Sequence, residues 1–171
     1  MNPAVLSEAL ALVARAEANG YTGSVEDTAE WEQLNAELGG IIPAWYIELI
    51  TTVPLVELEF GWQSVEPEGE DDGVSWLGWF GAANVRSEML EAYPGIPLLQ
   101  AAYLCVAGSS HGSGDQYFIP TDQGYDPPLY QIDHEAGEEA DKILAEGRDM
   151  VTPSLSEFFR MAKVEARPSY L

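Results

Sequence analysis

Hydrophobic positions along the chain follow two periods, and the change between them divides the expected fold. Asn2 before Pro3 reads as a helix start, with a capping side chain followed by a proline at the first helical position. Leu6, Ala9, Leu10, Val13 and Ala16 recur at helical spacing, which predicts an apolar face on a helix over about 3–18. Asn19-Gly20 stops it. Thr28 is expected to cap a second helix that carries Trp31, Leu34 and Leu38 on one face and ends at Gly39-Gly40. Pro43 opens a third, short helix through Ala44 to Ile50, broken before Pro54.

The period then becomes two. Val56, Leu58, Phe60 and Trp62 alternate with Glu57, Glu59 and Gly61, as in a strand with one wet face. The polar run from Glu66 to Gly73 reads as an exposed loop, and Val74 to Phe80 as the returning strand. A short helix from about Asn84 to Tyr93 follows, closed by Pro94-Gly95. Strands are expected at Ala102–Ala107, Gln116–Ile119 and Leu129–Ile132, whereas Glu135 to Met150 has no assignable pattern. Thr152 with Pro153 begins a last helix whose apolar face is Leu155, Phe158, Phe159 and Ala162; Ser154 and Glu157 have capping-box spacing two residues later. Nothing repeats and no linker divides the chain. One α+β domain is expected over 1–171, with a mostly antiparallel sheet flanked by helices.

Composition supports folding without staples. The chain has 171 residues, 46% of them apolar, and 18 are aromatic (Trp 5, Tyr 8, Phe 5), enough for a core that buries about two-thirds of the unfolded surface. Cys105 is the only cysteine, so neither an internal disulfide framework nor a cysteine-based zinc cluster is available. No run approaches the roughly 20 apolar residues that span a bilayer. The first residues lack a basic segment, and Glu8 interrupts the first apolar stretch, which argues against a secretory signal and for a cytoplasmic protein.

Charge changes the picture more than any motif does. Twenty-nine acidic residues face seven Lys and Arg, for a net charge of −22, and no basic residue lies between Arg15 and Arg86. Such a surface repels nucleic-acid phosphates and anionic lipid, and it accelerates encounter with a basic protein. An acidic proteome background or a need for solubility would give the same balance.

Reactive chemistry finds little support. Gly108-Ser109-Ser110-His111-Gly112 matches the G-x-S-x-G elbow of serine hydrolases, with Ser110 as nucleophile. An elbow needs a strand before the serine and a helix after it, and here Gln116 to Ile119 alternates like a strand. A glycine-rich hairpin turn is the simpler reading. Asp115 stands after Gly114 where a phosphate loop needs lysine. His134-Glu135 lacks a second histidine four residues on. His111, Asp115, Asp133 and His134 are an ordinary inventory that more often satisfies backbone groups than a metal. Cys105 sits in an apolar strand and reads as core. The carboxylates of 66–72 lack calcium-loop spacing. No catalytic residue, metal or cofactor is assigned.

Several segments together carry a resemblance. Leu38-Gly39-Gly40-Ile41-Ile42-Pro43-Ala44-Trp45-Tyr46 resembles the LG-x-x-(L/I)-P-x-x-Y segment of the SUKH superfamily, the SMI/KNR-type domain. Gly114-Asp115 is similar to that family's strand entry, Leu129 to Glu135 to its V-Y-x-x-D-H-E strand, and Leu155 to Phe159 to its closing helix. The matches run in the family's order over about 28–164. They depart from it at Thr51-Thr52-Val53-Pro54, where an Asn-Gly-Gly turn is common, and at Asn35, where Glu is common. The resemblance implies a twisted sheet flanked by helices and a protein-binding role. Bacterial members are mostly immunity proteins that neutralise polymorphic toxins, and fungal members regulate cell-wall assembly. It implies no catalytic residue.

The expectation is therefore a binding protein whose partner is a basic toxin domain, such as a nuclease, with a regulatory scaffold domain as the alternative. The expected contact surface is the acidic run Glu66, Glu68, Glu70, Asp71 and Asp72, flanked by Trp62, Trp76 and Trp79 as anchors. Against this, alternation puts Trp62 on the core face with Val56, Leu58 and Phe60.

Overall fold

The computed structural model describes residues 1–64, 73–110 and 112–164. Among these, seven helices accompany a six-stranded antiparallel sheet that curls into a half-barrel, an α+β architecture. The first three elements are the helices α1 (Pro3–Ala18), α2 (Thr28–Glu37) and α3 (Ala44–Thr52). The hairpin β1 (Glu59–Gln63) and β2 (Val74–Trp79) follows, then α4 (Ala82–Glu91) and α5 (Gly95–Gln100). The strands β3 (Tyr103–Ser109), β4 (Gln116–Pro120) and β5 (Leu129–Ile132) come next, and α6 (Ala140–Glu146), β6 (Arg148–Thr152) and α7 (Leu155–Met161) complete the order. Every strand pairs with its neighbour in sequence, so the sheet runs β1 to β6 without a crossover. No helix among the described residues is long and apolar enough to cross a membrane.

Capping chemistry sets the helix starts. The Asn2 side chain accepts the Ala4 N–H at 2.9 Å ahead of Pro3, as expected. Asp27, not Thr28, caps α2, because its carboxylate accepts from both Ala29 and Glu30. A carboxylate at a helix N-terminus also meets the positive end of the dipole. Glu26 performs a longer-range version: one of its oxygens accepts from the Trp31 indole at 3.2 Å and from the first N–H of α4, Ala82, at 2.9 Å. Thr152 belongs to β6, paired with Leu129, and Ser154 caps α7 through the Glu157 N–H. The capping spacing two residues downstream is the one used.

The apolar face of α1 is rotated from the expected one. Val5, Ala9, Leu12, Val13 and Ala16 are buried, while Leu10 is 47% exposed and Leu6 half-buried. The residues at i, i+4, i+7 and i+8 counted from Val5 fit the stripe that faces α7. Three elements escaped the periodicity. Pro94-Gly95 begins α5 instead of ending a helix, and the polar stretch after Glu135 holds α6 and the edge strand β6. The segment from Val56 does not join β1, because Glu57 has φ 71°, which breaks extended geometry before Glu59.

The core joins the terminal helices to the first strands. Phe158 of α7 meets Phe60 edge-on at 6.5 Å and stacks on Trp79 at 6.1 Å, and Phe159 lies 5.4 Å from Trp79. Arg15 of α1 donates to the carbonyls of Phe159 and Ala162 at 2.9 and 3.1 Å, which caps the otherwise unpaired C-terminal end of α7. Past α7 the chain makes one more rung: Gly61 and Lys163 exchange both backbone bonds at the outer edge of β1.

Phe158 is 1% exposed and touches both sides of this junction. Replacing it with alanine is expected to destabilise the protein by about 3–5 kcal/mol, measured by urea unfolding. A loss below about 1 kcal/mol would show that α7 is not the clamp described.

Candidate functional site

At the start of β1 lies a cleft of about 230 Å³ lined by Tyr21, Thr22, Glu57, Leu58, Glu59, Trp76 and Val164. Trp76 enters it from a cross-strand pair. Gly61 and Trp76 stand directly opposite, and a Cβ on Gly61 would fall 2.8 Å from Val74 Cγ1 and 3.1 Å from the Trp76 ring. The missing side chain lets the indole lie against the backbone of β1. Trp76 is 7% exposed and Tyr21 40%, so the pair offers one embedded and one accessible aromatic surface.

Two carboxylates stand at this wall. Glu59 starts β1, and Glu57 occupies a turn closed by the Leu58 N–H on the Leu55 carbonyl at 3.2 Å. Both are exposed. The positive φ of Glu57 is a conformation that glycine adopts freely and a Cβ opposes. Residues held in this way concentrate at functional sites. A cleft lined by two acidic residues, a tryptophan and a tyrosine suits a cation with an apolar stem, the chemistry of a Lys or Arg side chain.

The expected site residues separate. Trp76 belongs to the cleft. Trp79 does not reach a surface: it is 3% exposed and enclosed by Phe60, Phe158 and Phe159, so it is a core residue and not an anchor for a partner. Trp62 is half-buried, and its indole N–H donates to the Tyr117 hydroxyl at 3.1 Å. Glu66, Glu68, Glu70, Asp71 and Asp72 lie outside the described residues. Tyr21-Thr22 and Val164 carry no local signal of a site, being far from each other and from β1 in sequence. Alternation marked Glu57 and Glu59 as wet, without showing what shares their surroundings.

The other candidates have structural explanations. Ser110 follows β3, its N–H donates to the Trp76 carbonyl at 2.9 Å, and the chain leaves toward β4, a strand instead of the helix an elbow requires. Gly108 of that motif is a packing glycine, because a Cβ there would meet Phe80 Cζ at 2.3 Å. His111 lies outside the described residues. Burial pushes the Cys105 thiol well up, and nearby Glu88 adds to it, which disfavours the nucleophilic thiolate.

Asp115, Asp133 and His134 bring one potential ligand atom each to within 4.8 Å of one another. Each is already engaged. Asp115 accepts from the His134 N–H at 3.1 Å and meets its Nδ1 at 2.7 Å, and Asp133 accepts from the Glu135 N–H at 2.7 Å. These bonds tie the start of β4 to the turn after β5. Comparison of the chain with family models, curated proteins and solved structures gives no match.

The hydrogen bond to Asp115 raises the His134 pKa above the usual histidine value of 6.5; burial opposes it, and the charges of Asp115, Glu135 and Asp133 add support. Because the folded value is the higher one, the pair stabilises fully below the unfolded pKa. That contribution fades as pH rises through the folded pKa. An NMR titration should give a native His134 midpoint above that of the unfolded chain, and Asp115→Asn should lower it. An unchanged midpoint in the variant would remove Asp115 as the cause.

Proposed function

We propose that this chain is a protein-binding domain that acts by occupancy and not by turnover, and that its cleft receives a Lys or Arg side chain from a basic partner. The observation that carries this reading is the grouping of Glu57 and Glu59 with Tyr21 and Trp76 around one cleft. A cation over an aromatic face contributes about 0.5–2 kcal/mol depending on desolvation, and an exposed ion pair about 0.2–1 kcal/mol. One such anchor is modest, so it sets register within a larger interface.

The net charge of −22 supplies the long-range part by drawing a basic surface toward the domain before contact. The resemblance of 28–164 to SUKH domains favours a toxin domain as that partner, with the chain as its immunity protein. A nuclease toxin needs a basic cleft for phosphates, and an anionic protein is suited to block it. The sequence order of the motifs and the α+β architecture support this reading.

Co-expression with the product of the adjacent gene is the direct test. The wild type is expected to rescue growth and form a stable complex, and Glu57→Lys with Glu59→Lys to lose both while keeping a near-native urea midpoint. The association rate should fall as salt rises from low to physiological levels. A complex indifferent to charge reversal overturns the cleft, and turnover by the purified domain that Ser110→Ala abolishes overturns a binding role.

Glu57→Gly offers a sharper separation. Relief of the left-handed backbone should raise stability by about 1 kcal/mol, while loss of the carboxylate weakens binding. A variant that is both less stable and equally tight in binding would show that Glu57 is held for its backbone contacts alone.

A further inference from the structure

Val164 also lines a second depression, about 500 Å³ in volume, whose charged members are Arg15, Arg160 and Lys163. The whole chain has seven Lys and Arg residues against 29 acidic ones, so this gathering runs against the composition. Of the other described cations, Lys142 stands apart in α6, and the two arginines have local tasks. Arg86 pairs with Glu37 at 2.7 Å, and Arg148 donates to the Tyr103 hydroxyl and lies 4.7 Å over the Tyr130 ring.

Helix ends explain part of the cluster. Arg15 and Arg160 lie in the last turns of α1 and α7, where cations favour the dipole, and Arg15 is committed to the carbonyls of α7. Lys163 has no such reason. It sits beyond α7 in the rung on β1, and among the described residues its ammonium reaches only the Gln63 amide oxygen, at 3.4 Å. Arg160 is 62% exposed and its ion-pair partner Glu157 is 4.0 Å away, so its guanidinium retains most of its donors.

The two depressions adjoin along the segment that pairs with Gly61, one anionic and aromatic, the other cationic. We infer that they form one dipolar docking surface, in which a partner segment places a Lys or Arg beside Trp76 and a nearby carboxylate on Arg160 and Lys163. This inference rests on the proposed role of the cleft and adds the partner's acidic residue to it. Opposite charges side by side fix the direction of an incoming segment and reject uniformly basic surfaces, since a second cation would meet Arg160 and Lys163.

Acetylated, amidated peptides Arg-(Gly)n-Glu with n from 0 to 4, and their Arg-(Gly)n-Gln counterparts, test it at low salt by NMR. Trp76 reports the cleft and Ala162 the groove. One spacing is expected to bind about threefold tighter as Glu than as Gln, the scale of an exposed ion pair. Arg160→Gln with Lys163→Gln should erase that advantage and leave the Gln peptide unchanged, while Glu57→Gln should weaken both. Equal affinity for Glu and Gln peptides that still depends on Glu57 overturns the dipolar surface and leaves the cleft standing. No binding at Trp76 by any peptide overturns both. Inorganic phosphate bound at Ala162 as tightly as the best peptide makes the groove a small-anion site, and concentration-dependent self-association lost in Glu57→Gln makes a second copy the occupant; either overturns the inference.

Discussion

The aromatic contact between α7 and the first hairpin is the constraint from which the rest of the surface follows. Phe158 and Phe159 bury against Phe60 and Trp79, and this fixes where α7 ends. Arg15 then satisfies the carbonyls at that end from α1, and the chain past Ala162 is delivered to the edge of β1. Val164 comes to rest between two depressions as a result. The oppositely charged surfaces thus share one hydrophobic cause.

Electrostatics has two scales in this molecule. The carboxylate excess acts over about a Debye length, roughly 8–10 Å at ordinary salt, and has no geometry beyond its sign. At short range the arrangement matters, and the fold places its few cations unevenly. Arg15 serves the backbone and Arg86 joins α4 to α2, while Arg160 and Lys163 remain at the surface beside an anionic wall. The net charge of −22 also repels itself within the folded state.

Much of the fold was legible because long periodic segments report their burial directly. The helix at Pro3–Ala18, the strand at Leu129–Ile132 and the hairpin reading of Gly108 to Gly112 follow from periodicity and turn chemistry. The orientation of α1 was not, because both Leu6-Leu10 and Val5-Leu12 satisfy helical spacing and only the presence of α7 selects the latter. β6 was missed because an edge strand with Arg148, Asp149 and Met150 exposed has no buried face to impose alternation. The cleft was half visible. Trp76 could be named as an aromatic of interest, but Tyr21 and Val164 reach it only through tertiary contacts, and Trp79 looks identical in sequence while lying in the core.

The position of β6 at the end of the sheet has a consequence for how the molecule meets other chains. Arg148 is held there by Tyr103 and Tyr130, with Asp149 beside it. A rim guarded by fixed charge is a poor template for another strand, so this edge of the sheet resists being extended by foreign backbone. Contacts at this rim fall to side chains, which can change without disturbing the ladder beneath.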